Sequence, residues 1–460
     1  MILKRFCEEG RITSFGKHIL LAALFVVLGS VLAVGNYNHK FGMDFYQYWG
    51  IGLGPKISDG ALKSPYVEMS TYAAFLDSYA SRSNDIRLIA ANKKCHSFYE
   101  KGLDIPGTPL QYAMFAAMPQ NYSAAYGIFL ATQTAFFIGA LALLFSYNKE
   151  KRALLIPLSA ALMACYWPFR NDLSNGNLAA TQLFFLVVLI VFYDKVLKNA
   201  TVRHAYVLSA VFTSALVLLT LMKPNITLVA LFLSASLWRL HGMRVFFSSA
   251  AIAGLFGAAL VALSCMYFGS WDVWRDWLGY FPDVSKSPMY AILRGNSSTS
   301  LIVSDLLHIN IRLAIALIIF LLSLHGFGVF AGAKPKEEAV LKYIKTRCLP
   351  LLEDPYLSAS LAVTVTLAVS PLVWPHYHIL SLLPAFWLIA TSPRWSFIEL
   401  LGVLSILITS MMLPYLLGEE TLAPYTAFSG WIPLWFGVQA VMASRIRNPS
   451  ERIKKASNVF

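Results

Sequence analysis

The charges of this chain are sorted around a series of long apolar runs. About a dozen such runs can be drawn, and the loops between them, taken alternately from the N-terminus, form two classes. The first class holds 23 of the 37 Lys and Arg residues and 10 of the 24 acidic residues, whereas the second class holds 14 of each kind. The whole net charge of +13 therefore lies on one side. Because a basic excess in short loops marks the cytoplasmic face of a membrane protein, the pattern predicts a topology.

The composition favours one integral membrane domain over residues 1–460. The 460 residues are 57% hydrophobic and only 13% charged, which argues against two or three soluble domains. The basic residues are spread over short loops without interleaved aromatic residues, so we expect contact with a lipid bilayer and none with nucleic acid. The five cysteines lie far apart and show no metal-ligand spacing. We therefore expect no metal and no cofactor.

The apolar runs predict an all-α polytopic protein with about twelve transmembrane helices and both termini in the cytoplasm. Two long outer loops cover 37–121 and 269–310, and a basic cytoplasmic tail covers 445–460. Pro224 and Pro375 each separate two close segments, so pairs of short helices dipping from the outer face are an alternative there. The predicted spans are 18–36, 122–146, 153–169, 178–193, 205–222, 225–238, 245–268, 311–332, 357–374, 378–391, 396–414 and 428–444.

The first outer loop contains apolar residues at helical spacing, which predicts an amphipathic helix. Such a helix rests on the bundle or at the membrane interface, and a helix that only covers the bundle fits the spacing equally well. The residues concerned are Met69, Tyr72, Ala73, Leu76, Tyr79 and Ala80.

Asp44 is the first candidate for catalysis. It follows the first predicted span within the aromatic segment GMDFYQYWGIG, close to the outer membrane surface. A carboxylate at an apolar boundary can have a raised pKa, which suits a general base. The alternative is an N-cap Asp that begins a short interfacial helix within an aromatic belt.

The segment 167–182, WPFRNDLSNGNLAATQ, is predicted to be an outer turn between two spans. Polar side chains beside a helix N-terminus can bind anions or sugar hydroxyls, and Gly176 permits a tight turn. An ordinary turn stabilised by Asn and Asp is the alternative. The candidates are Arg170, Asn171, Asp172, Asn175 and Asn177.

Lys223 is the single charge between two apolar runs at the predicted outer side. An intramembrane charge indicates a functional site by default, although the side chain can also extend to the interface. In a second outer turn, His376, Tyr377 and His378 could bind a phosphate or act as acid or base. A cluster of interfacial aromatic residues is the alternative there.

The second outer loop offers Arg294 and Asn296 as further ligand contacts. Asn296, Ser297 and Ser298 also match the short acceptor pattern for N-glycosylation, which matters only in a eukaryotic lumen. All these candidates lie on the predicted outer side.

The ordered set of motifs resembles glycosyltransferase family 87, whose members are integral membrane enzymes of the GT-C fold. The resemblance rests on Asp44-Phe45, Asn175-Gly176-Asn177, Lys223-Pro224, Asn296-Ser297 and the pair Ser370-Pro371 with Trp374-Pro375-His376-Tyr377. The family more often has Gly-Gln at Gly176-Asn177, and its Asn-Gln-Ser motif reads Asn296-Ser297-Ser298 here.

The resemblance implies an inverting hexosyltransferase, mannosyl by analogy, that uses a polyprenyl-phosphate sugar. Asp44 matches the catalytic carboxylate of the first outer loop, and Lys223 and His376 match donor-phosphate positions. Arg170 and Arg294 are further phosphate candidates. Sugar or acceptor contacts fall to Asp172, Asn175, Asn177, Asn296, Tyr377 and His378. The acceptor would be an extracytoplasmic glycolipid or glycan, reached from the outer face of the plasma membrane.

Two other functions share this topology. A transporter or flippase of lipid-linked sugars would also have many spans and an intramembrane lysine, but many transporters carry internal repeats, which are not evident in this sequence. An oligosaccharide ligase would transfer a preassembled glycan. A transporter would move a label without forming a glycosidic bond.

Overall fold

A computed structural model describes residues 41–99, 103–104, 107–146, 158–159, 161–163, 165–284, 296–331, 349–393, 396–410 and 423–447, with a few single positions between 27 and 35. These residues form helices and turns, and no strand occurs among them, which confirms the predicted all-α class. The helices are α1 (Met43–Ile57), α2 (Met69–Ser81), α3 (Ile86–Phe98), α4 (Pro109–Phe115), α5 (Tyr122–Ser146), α6 (Trp167–Asn175), α7 (Ala179–Lys195), α8 (Val202–Met222), α9 (Thr227–Phe268), α10 (Val273–Val284), α11 (Thr299–Leu307), α12 (Ile311–Ala331), α13 (Pro355–Val369), α14 (Leu382–Thr391), α15 (Phe397–Thr409) and α16 (Ala423–Arg447).

Several of these helices have the character of membrane spans. Within the described ranges, four helices are long and apolar enough to cross a bilayer, and a fifth results if the bent pair Thr299–Leu307 and Ile311–Leu322 is counted as one span. The number of twelve spans stays a prediction, since most of 18–36 and seven residues of 153–169 lie outside the described residues. The four helices are Tyr122–Leu144, Ala179–Asn199, Val202–Met222 and Pro224–Phe268.

The longest of these helices, α9, reverses direction at Gly242. This glycine has φ 80° and ψ 176°, which is not helical. The part before it runs alongside α7, because Tyr193 donates to the carbonyl of Ser236 and His241 contacts the carbonyl of Leu197. The part after it runs parallel to α8, where Thr213 donates to the carbonyl of Ser249. Since α7 and α8 are antiparallel neighbours, the two parts of α9 are antiparallel, as predicted for 225–238 and 245–268.

The described part of 37–121, the predicted first outer loop, contains four helices that pack on the bundle. The expected amphipathic helix is confirmed as α2, and a Cβ at Gly50 of α1 would lie 2.7 Å from Leu76. Helix α2 therefore covers α1 closely. Asp85 caps α3 and also accepts from the backbone and hydroxyl of Ser123 at 2.8 and 2.7 Å, which ties this loop to the start of α5. Thr108 donates to the carbonyl of Leu221 at 2.6 Å.

The segment 167–182 differs from the expected turn. Residues 167–175 form the short helix α6, with Pro168 in its first turn and Gly176 ending it at φ 78°. Pro favours a helix start and Gly a helix end, so these two residues bracket a helix too short for its periodicity to be evident. Only residues 176–178 then separate α6 from α7.

The predicted second outer loop also contains helices in its described part. Helix α10 follows α9 closely, and α11 precedes α12. Arg294 lies outside the described residues, as does most of the predicted tail 445–460.

Candidate functional site

Asp44 lies in the first turn of α1, but its carboxylate does not cap that helix. Gly42 occupies the N-cap position with φ 65°, and no side chain caps the helix. A Cβ at Gly42 would lie 2.5 Å from the ring of Tyr126, so the absence of a side chain lets α1 begin against α5. The following residue, Phe45, is fully buried and packs against Tyr122, Tyr126 and other rings of α5. The N-cap alternative for Asp44 is therefore wrong.

The Asp44 carboxylate instead accepts a hydrogen bond from Asn177. The Asn177 amide nitrogen lies 2.9 Å from Asp44 Oδ2 and 3.3 Å from the hydroxyl of Tyr48. The Asn177 oxygen accepts from the ammonium of Lys223 and, at 2.8 Å, from the backbone N–H of Leu178. One amide thus joins a carboxylate on α1 to an ammonium that follows α8, and its polar atoms are used within the protein.

Asp172 holds the turn that presents Asn177. Its backbone carbonyl accepts from the N–H groups of Gly176 and Asn177, both at 2.9 Å. Its carboxylate oxygens accept from Ala179 at 3.0 Å and Ala180 at 3.1 Å, at the N-terminus of α7. Asp172 is fully buried. Its geometry is that of a helix cap, where the helix dipole and the free N–H groups favour a carboxylate.

Gly176 allows this turn to approach α1. A Cβ on Gly176 would lie 2.4 Å from the Cβ of Phe45 and 3.0 Å from its backbone nitrogen. These are contacts with backbone and a fixed Cβ, which cannot move aside as the end of a flexible side chain can. The Asp44–Asn177 bond therefore depends on glycine at this position.

Lys223 is buried between α8 and α9, in the gap between two candidate spans. Its Nζ lies 4.9 Å from the ring centroid of Tyr377, which adds a cation–π contact to its bond with Asn177. An unpaired buried ammonium is costly. The surrounding amide, ring and carboxylates lower that cost.

His376 lies beside this group in the 3₁₀ segment Pro375–Ser381. Its Nδ1 lies 3.3 Å from the side-chain oxygen of Asn171, which also accepts from Asn175 at 3.2 Å. Since a carbonyl oxygen only accepts, Nδ1 carries the proton and Nε2 presents a lone pair. Nε2 is buried and has no hydrogen-bond partner among the residues that the structure describes.

Asn296 and His378 hold the second outer loop against the segment 370–378. The Asn296 oxygen accepts from the N–H of Val373 at 3.0 Å, and its amide donates to the carbonyl of Pro371 at 3.2 Å. The hydroxyl of Ser297 lies 3.0 Å from His378 Nε2. Both Asn296 and His378 are buried, and these bonds connect two loop segments. Arg170, by contrast, lies on the exposed face of α6.

Burial dominates the electrostatics of the site. It raises the pKa of Asp44 to about 6, against the bond from Asn177 and the charge of Lys223, which lower it, while the charge of Asp104 adds to the rise. Burial also lowers the pKa of Lys223, opposed by the charges of Asp172 and Asp44. The pKa of His376 is held well below its usual value by burial, by Lys223 and by His378. At neutral pH His376 is therefore uncharged.

The sequence did not single out Asp104, and it indicated Tyr48 only as one of the aromatic residues around Asp44. Asp104 accepts from the hydroxyl of Tyr280 on α10 at 3.0 Å, and its backbone N–H donates to Gln47 at 2.5 Å. Asp104 is one of many polar residues in a long loop, so no local signal distinguishes it. In the part of the chain that the structure describes, no three His, Cys, Asp or Glu side chains are grouped as metal ligands.

Comparison with known proteins adds no relative. No family model, no curated protein and no solved structure matches this chain.

Proposed function

We propose that this chain is a membrane glycosyltransferase that transfers a hexosyl residue, mannosyl by the family resemblance, from a polyprenyl-phosphate sugar to a glycolipid or glycan acceptor. One observation carries the proposal. A carboxylate with a raised pKa and a buried ammonium are held by the same Asn177 amide, so a proton acceptor and an anion ligand lie side by side.

Asp44 is the general base in this proposal. Its pKa of about 6 leaves it mostly ionised at pH 7 yet more basic than an ordinary Asp carboxylate. A base with a pKa near the working pH combines the correct protonation state with good proton affinity. Asp44 retains part of its surface exposed, so an acceptor hydroxyl can reach it.

Lys223 is the phosphate ligand. The leaving group departs as a phosphate and gains negative charge as the bond to the sugar breaks, so a fixed positive charge stabilises the transition state more than the ground state. Lys223 is already desolvated and held in place. The arrangement costs little reorganisation when the charge develops.

The reaction balances as a single displacement. The acceptor oxygen forms a bond to the anomeric carbon, and the bond from that carbon to the phosphate oxygen breaks. The hydroxyl proton goes to Asp44, and the bonding electron pair stays on the departing phosphate beside Lys223. Attack from the face opposite the leaving group inverts the anomeric configuration.

His376 has a different part from Lys223 because it is neutral. A neutral imidazole whose Nδ1–H is bonded to Asn171 offers a lone pair at Nε2 and no positive charge. We assign this buried nitrogen to a hydroxyl of the donor sugar. A hydroxyl can donate to it, and a buried acceptor left unpaired is costly.

A small apolar crevice next to Tyr377 points to where a polyprenyl chain would enter, but it has room for little more than one water molecule. It lies among the first part of α9, α13 and the 3₁₀ segment, and Tyr377 also carries the Lys223 ammonium on its ring. The surrounding helices would have to separate before a hydrocarbon chain could enter here, and such a chain would then end close to Lys223. The lining residues are Asn225, Val229, Val363, Thr366, Leu367, Ser370, Val373, Tyr377 and Leu380.

The test uses purified protein in proteoliposomes with radiolabelled polyprenyl-phosphate mannose and a mixed membrane glycolipid fraction as acceptor. We expect the wild type to form labelled product and Asp44→Asn to form at least about 100-fold less. Asp59→Asn is the matched control, since it makes the same change at an exposed loop position beyond α1 and should keep full activity.

Three results would contradict the proposal in different ways. Equal transfer by wild type and Asp44→Asn would remove Asp44 from the mechanism. Movement of label between leaflets without a new glycosidic bond would favour the transporter. No transfer from mannosyl, glucosyl or galactosyl polyprenyl phosphates would refute the donor class.

A further inference from the structure

Helix α10 lies across the end of α9 on the side of the bundle that holds Asp44. Helix α9 ends at Gly269, which has φ 59° and turns the chain. Thr108 bonds to the end of α8, just before Lys223. Tyr267, near the end of α9, donates to the carbonyl of Gly52 in α1. Because Thr108 and Gly52 belong to the same loop, Lys223 and the end of α9 lie at the same end of the bundle. Helix α10 therefore begins at the end of the bundle that holds the candidate site.

One face of α10 is fixed against the protein. Val273 and Trp277 are buried, and the indole nitrogen of Trp274 donates to the hydroxyl of Ser264 at 2.8 Å. Further along this face, Tyr280 donates to Asp104 at 3.0 Å. These contacts determine which side of the helix faces outward.

The opposite face of α10 is exposed and carries Arg275 and Leu278. Leu278 is 61% exposed, and Trp271, which lies two residues before the first residue of α10, is 73% exposed. Arg275 lies between them and forms an ion pair with Asp272 at 3.2 Å. We call Trp271, Arg275 and Leu278 the outer face of α10. Tryptophan, an aliphatic residue and an arginine with a long stem are the residue types that amphipathic helices place at a membrane interface.

The outer face continues an apolar surface that begins on α9. Leu263 is 60% exposed and Met266 is 68% exposed, on a helix long and apolar enough to cross a membrane. Such residues on a candidate span face lipid. The exposed apolar surface continues past Gly269 to Trp271, and the exposed ion pair of Asp272 and Arg275 lies between Trp271 and Leu278.

We propose that α10 is an interfacial anchor whose outer face inserts into the lipid leaflet on the Asp44 side. Trp271 and Leu278 lie among the upper acyl chains, and Arg275 reaches the lipid phosphates. The partner is therefore a phospholipid surface. A second copy of the chain or another protein on this face would contradict the proposal.

The anchor has a consequence for the site. Its inner face carries Tyr280, which holds Asp104, a residue close enough to Asp44 for their charges to interact. One helix thus connects the lipid surface to the surroundings of Asp44, where we place the entrance of the site. The entrance then lies at the depth of the lipid headgroups, where a lipid-borne substrate presents its polar end.

Site-directed spin labelling tests the proposal in nanodiscs of phosphatidylcholine and phosphatidylglycerol. Nitroxides are placed at Trp271→Cys and Leu278→Cys in a background in which Cys7, Cys165 and Cys348 are replaced by Ser. Val211→Cys, exposed on the candidate span α8, is the lipid reference, and Lys63→Cys, exposed in the first loop, is the water reference. Collisions with oxygen and with a nickel chelate report lipid and water, respectively.

We expect positions 271 and 278 to resemble 211, with high oxygen and low nickel accessibility. Nickel accessibility equal to that at 63 would place the face in water and overturn the proposal. Low accessibility to both reagents would show a protein cover and also overturn it. Because the measurement does not involve glycosyl transfer, its outcome is independent of the proposed function.

Discussion

Asn177 donates a hydrogen bond to Asp44 at 2.9 Å although the two residues are 133 positions apart. The bond is possible because Asp172 shapes the turn before α7 and Gly176 lets that turn approach α1. The same amide accepts from Lys223. Asn177 therefore positions the proposed base and the proposed phosphate ligand relative to each other.

Asn177→Ala should move the pH dependence of transfer upward. The Asn177 bond lowers the pKa of Asp44, so its loss lets that pKa rise above about 6. A base is active when deprotonated, and the rising limb of kcat/KM against pH should shift to higher pH. We also expect about a 10- to 100-fold lower kcat/KM at pH 7. Asn199→Ala is the control, because the side chain of Asn199 is exposed and bonds to a backbone carbonyl. If the rising limb of kcat/KM is unchanged in Asn177→Ala, Asn177 does not set the pKa of the base.

Lys223→Met should weaken the use of the donor and shift the rising limb of kcat/KM against pH to higher pH. The positive charge of Lys223 lowers the pKa of Asp44. Without it, the carboxylates of Asp44 and Asp172 lose the neighbouring positive charge that compensates them. We expect kcat/KM for the donor to fall by about 10²- to 10³-fold, as for loss of one preorganised stabilising group. Lys56→Met, at an exposed position in the last turn of α1, should be silent. A normal KM for the donor and normal kcat in Lys223→Met would remove it from the phosphate site.

Gly176→Ala and Gly60→Ala separate backbone strain from close approach. Both glycines have nearly the same φ, 78° and 79°, so alanine carries a similar strain of about 1–2 kcal/mol at either place. Only at 176 would the new Cβ meet Phe45, whereas nothing lies within 4 Å at 60. Gly176→Ala should therefore lower the thermal unfolding midpoint more and abolish most transfer, as measured in detergent and in proteoliposomes. Equal effects of the two substitutions would show that the contact with Phe45 has no importance.

His376→Phe should reduce transfer without moving the rising limb. The ring is neutral over the working pH range because its pKa is held well below its usual value. The substitution keeps an aromatic ring but removes the Nε2 acceptor. We expect kcat/KM to fall by about 10- to 100-fold. Donors that each lack one sugar hydroxyl can identify the contact. The donor that lacks the hydroxyl bonded to Nε2 should be a poorer substrate than the complete donor for the wild type, but not for His376→Phe. If both proteins discriminate equally against every such donor, the contact is contradicted.

The apolar runs predicted much of the helical framework. The run 122–146 is the helix Tyr122–Ser146, and the helical spacing in the first loop corresponds to Met69–Ser81. These features are local, since an apolar run or a periodicity is determined by neighbouring residues. The short helix α6 was not predicted, because nine residues bracketed by Pro168 and Gly176 resemble a turn in composition.

The residues of the candidate site could be predicted from the sequence, but the contacts between them could not. Asp44, Asn177, Lys223 and His376 were all singled out from sequence, and the fold brings them into one group. The particular bonds arise from tertiary packing between distant segments, such as the joining of Asn296 to Val373 across 77 positions. Asp104 lacks any local distinction, so only the fold shows its proximity to Asp44.

At the opposite end of the bundle, Asp354→Asn should reduce stability and leave the chemistry intact. Asp354 lies 2.5 Å from Arg445 and caps α13 through the N–H groups of Tyr356 and Leu357. Burial raises its pKa, but Arg445, Lys198 and these bonds together lower it below the usual value. A depressed pKa stabilises the fold above the unfolded-state pKa of about 3.9, and this contribution is lost as the pH falls through the folded-state value. Since the pair is partly exposed, we expect a loss of about 1–2 kcal/mol at pH 7, seen as a lower unfolding midpoint with unchanged kcat per folded molecule. A lower kcat at an unchanged midpoint would instead place Asp354 in the path of the reaction.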